Sequence, residues 1–97
     1  MAVHIKSIDK NHLVIDGKYG IDQRSLMNND VDIVSDHFYQ DRSKTYAQRC
    51  KDNRQISKGK KPFTVGEFGL APTNMFKDLL TEGIRDGTAG LLIWRLL

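Results

Sequence analysis

Apolar and polar residues follow one another along this chain in blocks of changing period, and the changes mark its elements. Val3, Ile5 and Ile8 suit the end of a helix over 2–11, with Asn11 as its closing residue. His12-Leu13-Val14-Ile15-Asp16-Gly17 is a short apolar run ended by glycine, the pattern of a first strand. Residues 18–29 carry turn chemistry at Gly20 and Asn28-Asn29, with room for one helical turn at Ser25-Leu26-Met27. The next run, Val31–Tyr39, places Ile33 and Val34 side by side and ends in aromatics. That is a second strand buried on both faces, as in parallel sheets. Ser43 to Ser57 reads as a helix with Tyr46, Ala47, Cys50 and Arg54 on one side, stopped by Gly59. Its apolar stripe is thin, so it is expected to cover a sheet edge.

A third strand spans Phe63–Phe68, introduced by Pro62, which suits the start of a strand. A helix over 74–86 follows, with Thr73 as N-cap candidate and Gly87 as terminator. Met75, Phe76, Leu79, Leu80 and Ile84 give it an apolar face of period 3.6. Residues 89–94 form a fourth, almost wholly apolar strand. Strands alternating with helices mean parallel βαβ units. Four strands fit either an open doubly wound sheet or part of a (β/α)8 barrel. The glycines favour the barrel. The turn Asp16-Gly17-Lys18-Tyr19-Gly20 lacks the GxGxxG spacing of a dinucleotide site, and there is no GxxxxGK[ST]. Polar or aromatic groups instead end each later strand, which is the barrel pattern.

Composition changes this picture little. Ninety-seven residues make at most one domain. No apolar run reaches the length of a membrane span, so no membrane partner is expected. The single cysteine, Cys50, excludes an intrachain disulfide and a CxxC metal site. The net charge of +3 is unevenly placed: Asp41 to Lys61 holds eight Lys/Arg and two Asp, leaving −3 for the rest. No aromatics are interleaved there at a stacking spacing, so a solvated helix face is expected and no nucleic-acid partner. A nucleic-acid module resting on Arg42–Lys61 is the competing reading, and steeply salt-dependent binding would mark it.

The candidate chemistry sits at the strand ends. His37 and Tyr39 are two apart and share a face with Ile33 and Ser35. Strict alternation puts Phe63, Val65 and Glu67 on one face of the third strand, and Leu92 with Trp94 on the fourth. Neighbouring strands lie about 4.8 Å apart, so the Tyr39 phenol is expected to donate to the Glu67 carboxylate. Asp36 and Asp16 alternate towards the helices. A carboxylate, a donor that orients it, an aromatic ring and a histidine are what a sugar-cleaving subsite needs. The plainer reading makes Glu67 a solvated turn residue, and His37, Tyr39 and Trp94 structural groups.

Residues 5–17, Val31–Tyr39, Lys61–Gly69 and Gly87–Leu97, taken in order, resemble the second half of a family-5 glycoside hydrolase, nearest to its endo-β-1,4-mannanase-like branch. The resemblance implies an α/β chain that supplies strands five to eight of a (β/α)8 TIM barrel. It implies Glu67 as the nucleophile of a retaining β-glycosidase and Tyr39 as the residue that orients it. His37 would contact substrate hydroxyls and Trp94 would line the substrate subsite. It implies a β-linked polysaccharide or oligosaccharide as substrate, with β-1,4-linked mannan first, no cofactor or metal, and secretion of the intact protein.

The chain also departs from the family. The acid/base glutamate of an Asn-Glu pair is absent, as is an arginine of an early strand, and the only other glutamate is Glu82 on a helix. Retention needs two carboxyl groups about 5–5.5 Å apart. The expectation is thus a half-barrel whose partner is a missing N-terminal half, inactive alone and prone to self-association at its unpaired edges. A non-catalytic carbohydrate-binding or scaffold half-barrel is the alternative.

Overall fold

The computed structural model of the protein describes residues 1–39 and 43–94, so Asp41, Arg42 and Arg95 lie outside the described residues. Its elements are α1 (Ala2–Ile8), α2 (Gln23–Met27), β1 (Val34–Phe38), α3 (Tyr46–Ser57), β2 (Phe63–Phe68), α4 (Thr73–Asp86) and β3 (Gly90–Ile93). The strands pair in parallel in the order β1-β2-β3. The result is an α/β unit with one parallel sheet, its two longer helices serving as crossovers.

The segment expected as a full first strand makes a single parallel bridge, Ile15 to Ile33. Side chains occupy the groups a longer ladder would use. The Asp32 carboxylate accepts the Val14 N–H at 2.7 Å, and Asp16 Oδ1 accepts the Ser35 N–H at 3.0 Å. Asp16 also accepts from Ser35 Oγ at 2.8 Å. It therefore turns to the face carrying Ser35, not towards the helices. The short helix α2 is tied down by Lys61, whose ammonium donates to the carbonyls of Ser25 (2.7 Å), Asn28 and Val31 (2.6 Å). A cation over the last carbonyls of a helix meets the negative end of its dipole.

The core lies between the sheet and α3 with α4. It joins Val34 and Phe38 of β1, Tyr46 and Cys50 of α3, Phe63, Val65 and Phe68 of β2, and Leu79 of α4. Two expectations change here. Although its apolar stripe is thin, α3 is not an edge cover: Tyr46, Cys50 and Ser57 are buried, and the helix packs on α4 and on both β1 and β2. Phe63 and Val65 do not share a face with Glu67. They pair with Val34 and Asp36 and face the helices, because β2 carries an extra residue, Gly66, before Glu67. One inserted residue reverses the alternation beyond it.

The ends of α4 are set by backbone. Pro72, not Thr73, is the N-cap, since the Pro72 carbonyl accepts from Met75 N at 3.0 Å and Phe76 N at 3.4 Å. That carbonyl is the first acceptor of the helical series. Gly87 closes the helix in the left-handed region, with φ 79°, where glycine carries no Cβ penalty.

Candidate functional site

The β-bulge builds the site. With Gly66 as the extra residue, Glu67 comes opposite His37 and Phe68 opposite Phe38. Glu67 is thereby carried to the face away from the helices while Phe68 stays in the core. His37, Glu67 and Trp94 all stand at the C-terminal end of the parallel strands, with Tyr39 just beyond β1. Tyr39 Oη donates to Glu67 Oε2 at 2.7 Å, and His37 Nδ1 lies 3.9 Å from the same oxygen. The His37 and Glu67 side chains are 21% and 30% exposed, open to solvent yet fixed.

Close approach explains the glycine. A Cβ on Gly66 would stand 2.9 Å from His37 Nε2 and 3.1 Å from His37 Cδ2. The imidazole therefore packs onto bare backbone, and the ring of Tyr19 meets it edge-on at 5.8 Å. Gly66→Ala is expected to leave the chain folded, because the imidazole can swing aside, but to displace that ring. The check is NMR: the Tyr19 ring-current shift on the His37 protons should disappear while the melting curve stays close to that of the parent.

Hydrogen bonding governs the phenol. Donation to the Glu67 carboxylate, aided by burial, pushes the Tyr39 pKa up to about 12. An unfolded tyrosine titrates near 10. The contribution of this bond to stability is therefore complete below about pH 10 and is lost as the pH climbs through about 12. The difference in melting temperature between the parent and Tyr39→Phe should shrink over that window. A difference that stays constant from pH 9 to 12 would show that the bond is not formed in solution.

Trp94 is placed beside this group and not against it. Its backbone N–H donates to the Phe68 carbonyl at 2.8 Å, and the residue is 57% exposed. With Tyr39, Gly69, Leu70, Phe76 and Ile93 it lines a cleft of about 580 Å3. Glu67 is outside that lining. His37, Tyr39 and Glu67 are thus brought together, and Trp94 joins them through Tyr39 across Gly69.

Polar residues of α3 mount both strand ends. Tyr46 Oη donates to the Gly69 carbonyl at 2.7 Å, next to the end of β2. Arg49 donates to the carbonyls of His37 and Tyr39, each at 3.2 Å, with its guanidinium 4.6 Å from the centroid of the Phe38 ring. Asn53 donates to Asp36 at 2.7 Å. Tyr46, Arg49, Cys50 and Asn53 have the i, i+3, i+4, i+7 spacing of one helix face. A polar residue at such a spacing within a basic run was the available signal for Arg49 and Asn53. Elsewhere in that run, Lys44 pairs with Asp52 at 2.8 Å and Arg54 donates to the Asp86 carbonyl at 3.0 Å. Burial pushes the Cys50 thiol up to about 12, which keeps it protonated. Among the described residues no cluster of histidine, cysteine and acidic side chains is placed to hold a metal ion, and no helix is long and apolar enough to cross a membrane.

Comparison with known proteins gives a fold. No family model matches the chain, and no curated protein does. Two solved structures resemble it. One is the endo-1,4-beta-mannanase from Rhizomucor miehei, with a TM-score of 0.76 and 20% identity over 99% of this chain. The other is the hyperthermostable endo-1,4-beta-D-mannanase from Thermotoga petrophila RKU-1, at 0.75 and 22% over 97%. The chain spans 35% of the first protein and 38% of the second. Its fold is that of a part of each.

Proposed function

We propose that this chain is the nucleophile-bearing half of a retaining β-glycosidase acting on β-1,4-linked polysaccharide, with mannan as the substrate. In this reading it supplies strands five to eight of a family-5 (β/α)8 barrel and needs an N-terminal half to complete it. The observation that carries the reading is the 2.7 Å bond from Tyr39 to Glu67 Oε2 at the C-terminal end of parallel strands. The likeness in fold to part of two mannanases supports it.

The chemistry follows from the two oxygens. Tyr39 and His37 both address Oε2, and Oε1 carries no hydrogen bond among the described residues. Oε1 is the attacking oxygen. It forms an ester bond to the anomeric carbon as the bond from that carbon to the leaving sugar's oxygen breaks. The acid/base glutamate of the other half protonates the leaving oxygen and then takes a proton from the water that cleaves the ester. Tyr39 aims Glu67, His37 contacts substrate hydroxyls, and Trp94 offers its ring to the apolar face of a sugar.

The test is covalent trapping. A barrel completed with an N-terminal half that carries the Asn-Glu acid/base should be labelled by a 2-deoxy-2-fluoromannosyl fluoride on the peptide containing Glu67. A label on another residue overturns the assignment. The isolated chain should not hydrolyse mannan, because its other glutamate, Glu82, is held by Arg85 on α4 at 2.6–2.9 Å. Robust turnover by the purified 97-residue chain would sink the half-site reading. That same engagement of Glu82 favours one other reading, a non-catalytic carbohydrate-binding half-barrel. It predicts sugar binding that Trp94→Ala weakens, and no turnover in the completed barrel.

A further inference from the structure

Alternate carbonyls of a strand point to opposite edges. The Phe38 carbonyl points to β2, where it accepts from Gly69 N at 3.3 Å. The carbonyls of His37 and Tyr39 therefore point to the other edge of β1, where the backbone ladder with the neighbouring segment is, among the described residues, the bridge at Ile15. Arg49 takes both. Its Nη2 donates to His37 O and its Nη1 to Tyr39 O, each at 3.2 Å, so one planar fork spans carbonyls two residues apart. The fork is itself fixed. Asp36 Oδ2 lies 3.6 Å from Nη2, the Phe38 ring lies under the guanidinium, and the Arg49 side chain is only 15% exposed.

We propose that Arg49 is a positioning residue: its guanidinium replaces a neighbouring strand along the end of β1 and so sets where the Tyr39 phenol meets Glu67. The proposal rests on the reading of Tyr39 and Glu67 as a nucleophile and its orienting donor. Its mechanical content stands apart from turnover. Without the fork, the last residues of β1 have one hydrogen-bonded edge instead of two. Lysine keeps the charge opposite Asp36 but is a point donor that cannot hold both carbonyls in one plane.

The test reads the phenol directly in the full chain. Tyrosine labelled with 13C at Cζ gives a resonance for Tyr39 at pH 7, assigned by its loss in Tyr39→Phe. Glu67→Ala marks where that resonance goes when the acceptor is removed. In Arg49→Lys the Tyr39 resonance should move at least halfway to the Glu67→Ala position while the Tyr46 resonance stays in place. A folded Arg49→Lys chain with an unmoved Tyr39 resonance overturns the proposal, whatever its melting temperature. If Arg49→Lys does not fold, the double variant Asp36→Asn/Arg49→Gln removes the charge pair together and should show the same shift. Failure of both to fold also overturns it, since Arg49 would then serve the whole fold and not the strand end. Absence of mannan hydrolysis in a completed barrel would dispose of the glycosidase reading and leave this result intact.

Discussion

Glu67→Gln, placed in a completed barrel, is expected to lower mannan hydrolysis by at least ~10^4-fold with little change in the stability of the fold. Loss of an activated nucleophile from a catalytic group that works as a unit costs that order of rate. Glutamine preserves the shape and still offers an oxygen to Tyr39, so the 2.7 Å contact has a substitute and the bulge at Gly66 is not disturbed. What disappears is the carboxylate oxygen that the proposed mechanism uses to form the glycosyl ester. Tyr39→Phe should cost less, about 10- to 100-fold, because it frees the carboxylate without removing it. The decisive measurement is kcat/KM for the parent and both variants, with burst kinetics to detect the ester. A fall of less than about tenfold for Glu67→Gln would remove Glu67 from the covalent step.

The strands that carry this site were legible because their burial is written twice, in β-branched pairs such as Ile33-Val34 and in the aromatics that end them. The bounds of β2 follow from Pro62 before it and Gly69 after it. The contact between Tyr39 and Glu67 was also legible, from strand spacing alone. The face of Phe63 and Val65 was not. A period-two reading assumes an unbroken ladder, and the bulge at Gly66 interrupts it with a residue that alternation cannot flag. The loss of the first strand was hidden for a related reason. Asp16 and Asp32 lie in two separate, otherwise apolar runs, yet their carboxylates capture the N–H groups of Ser35 and Val14. Competition between side chain and ladder is decided by geometry across 18 or 19 residues, not by the local pattern. The role of α3 was missed because apolar content was counted on its buried face. That face is held by Tyr46, Arg49 and Asn53, whose polar ends have partners on the strands.

The second large effect is expected at Asp36, which makes α3 and β1 interdependent. The residue is 4% exposed and its carboxylate is fully engaged. Oδ1 accepts from Gly20 N and His37 N at 2.7 Å, and Oδ2 accepts from Asn53 Nδ2 at 2.7 Å and faces Arg49 at 3.6 Å. Asp36→Ala removes the acceptor from two backbone N–H groups and an amide, and leaves a largely buried guanidinium without its counter-charge. Breaking a buried pair on one side costs about 3–5 kcal/mol. Small domains hold about 5–15 kcal/mol in total, towards the lower end at this size. Asp36→Ala should therefore be mostly unfolded at 25 °C or unfold in very little urea. Asp36→Asn keeps the shape and one acceptor oxygen, so its loss should be smaller, about 1–3 kcal/mol. The ordering matters more than either value, because a cavity alone would affect alanine and spare asparagine, whereas loss of charge affects both. Urea midpoints for the three proteins decide this, and an alanine variant within about 1 kcal/mol of the parent would mean that the carboxylate is hydrated in solution and does not join α3 to the strand that carries His37.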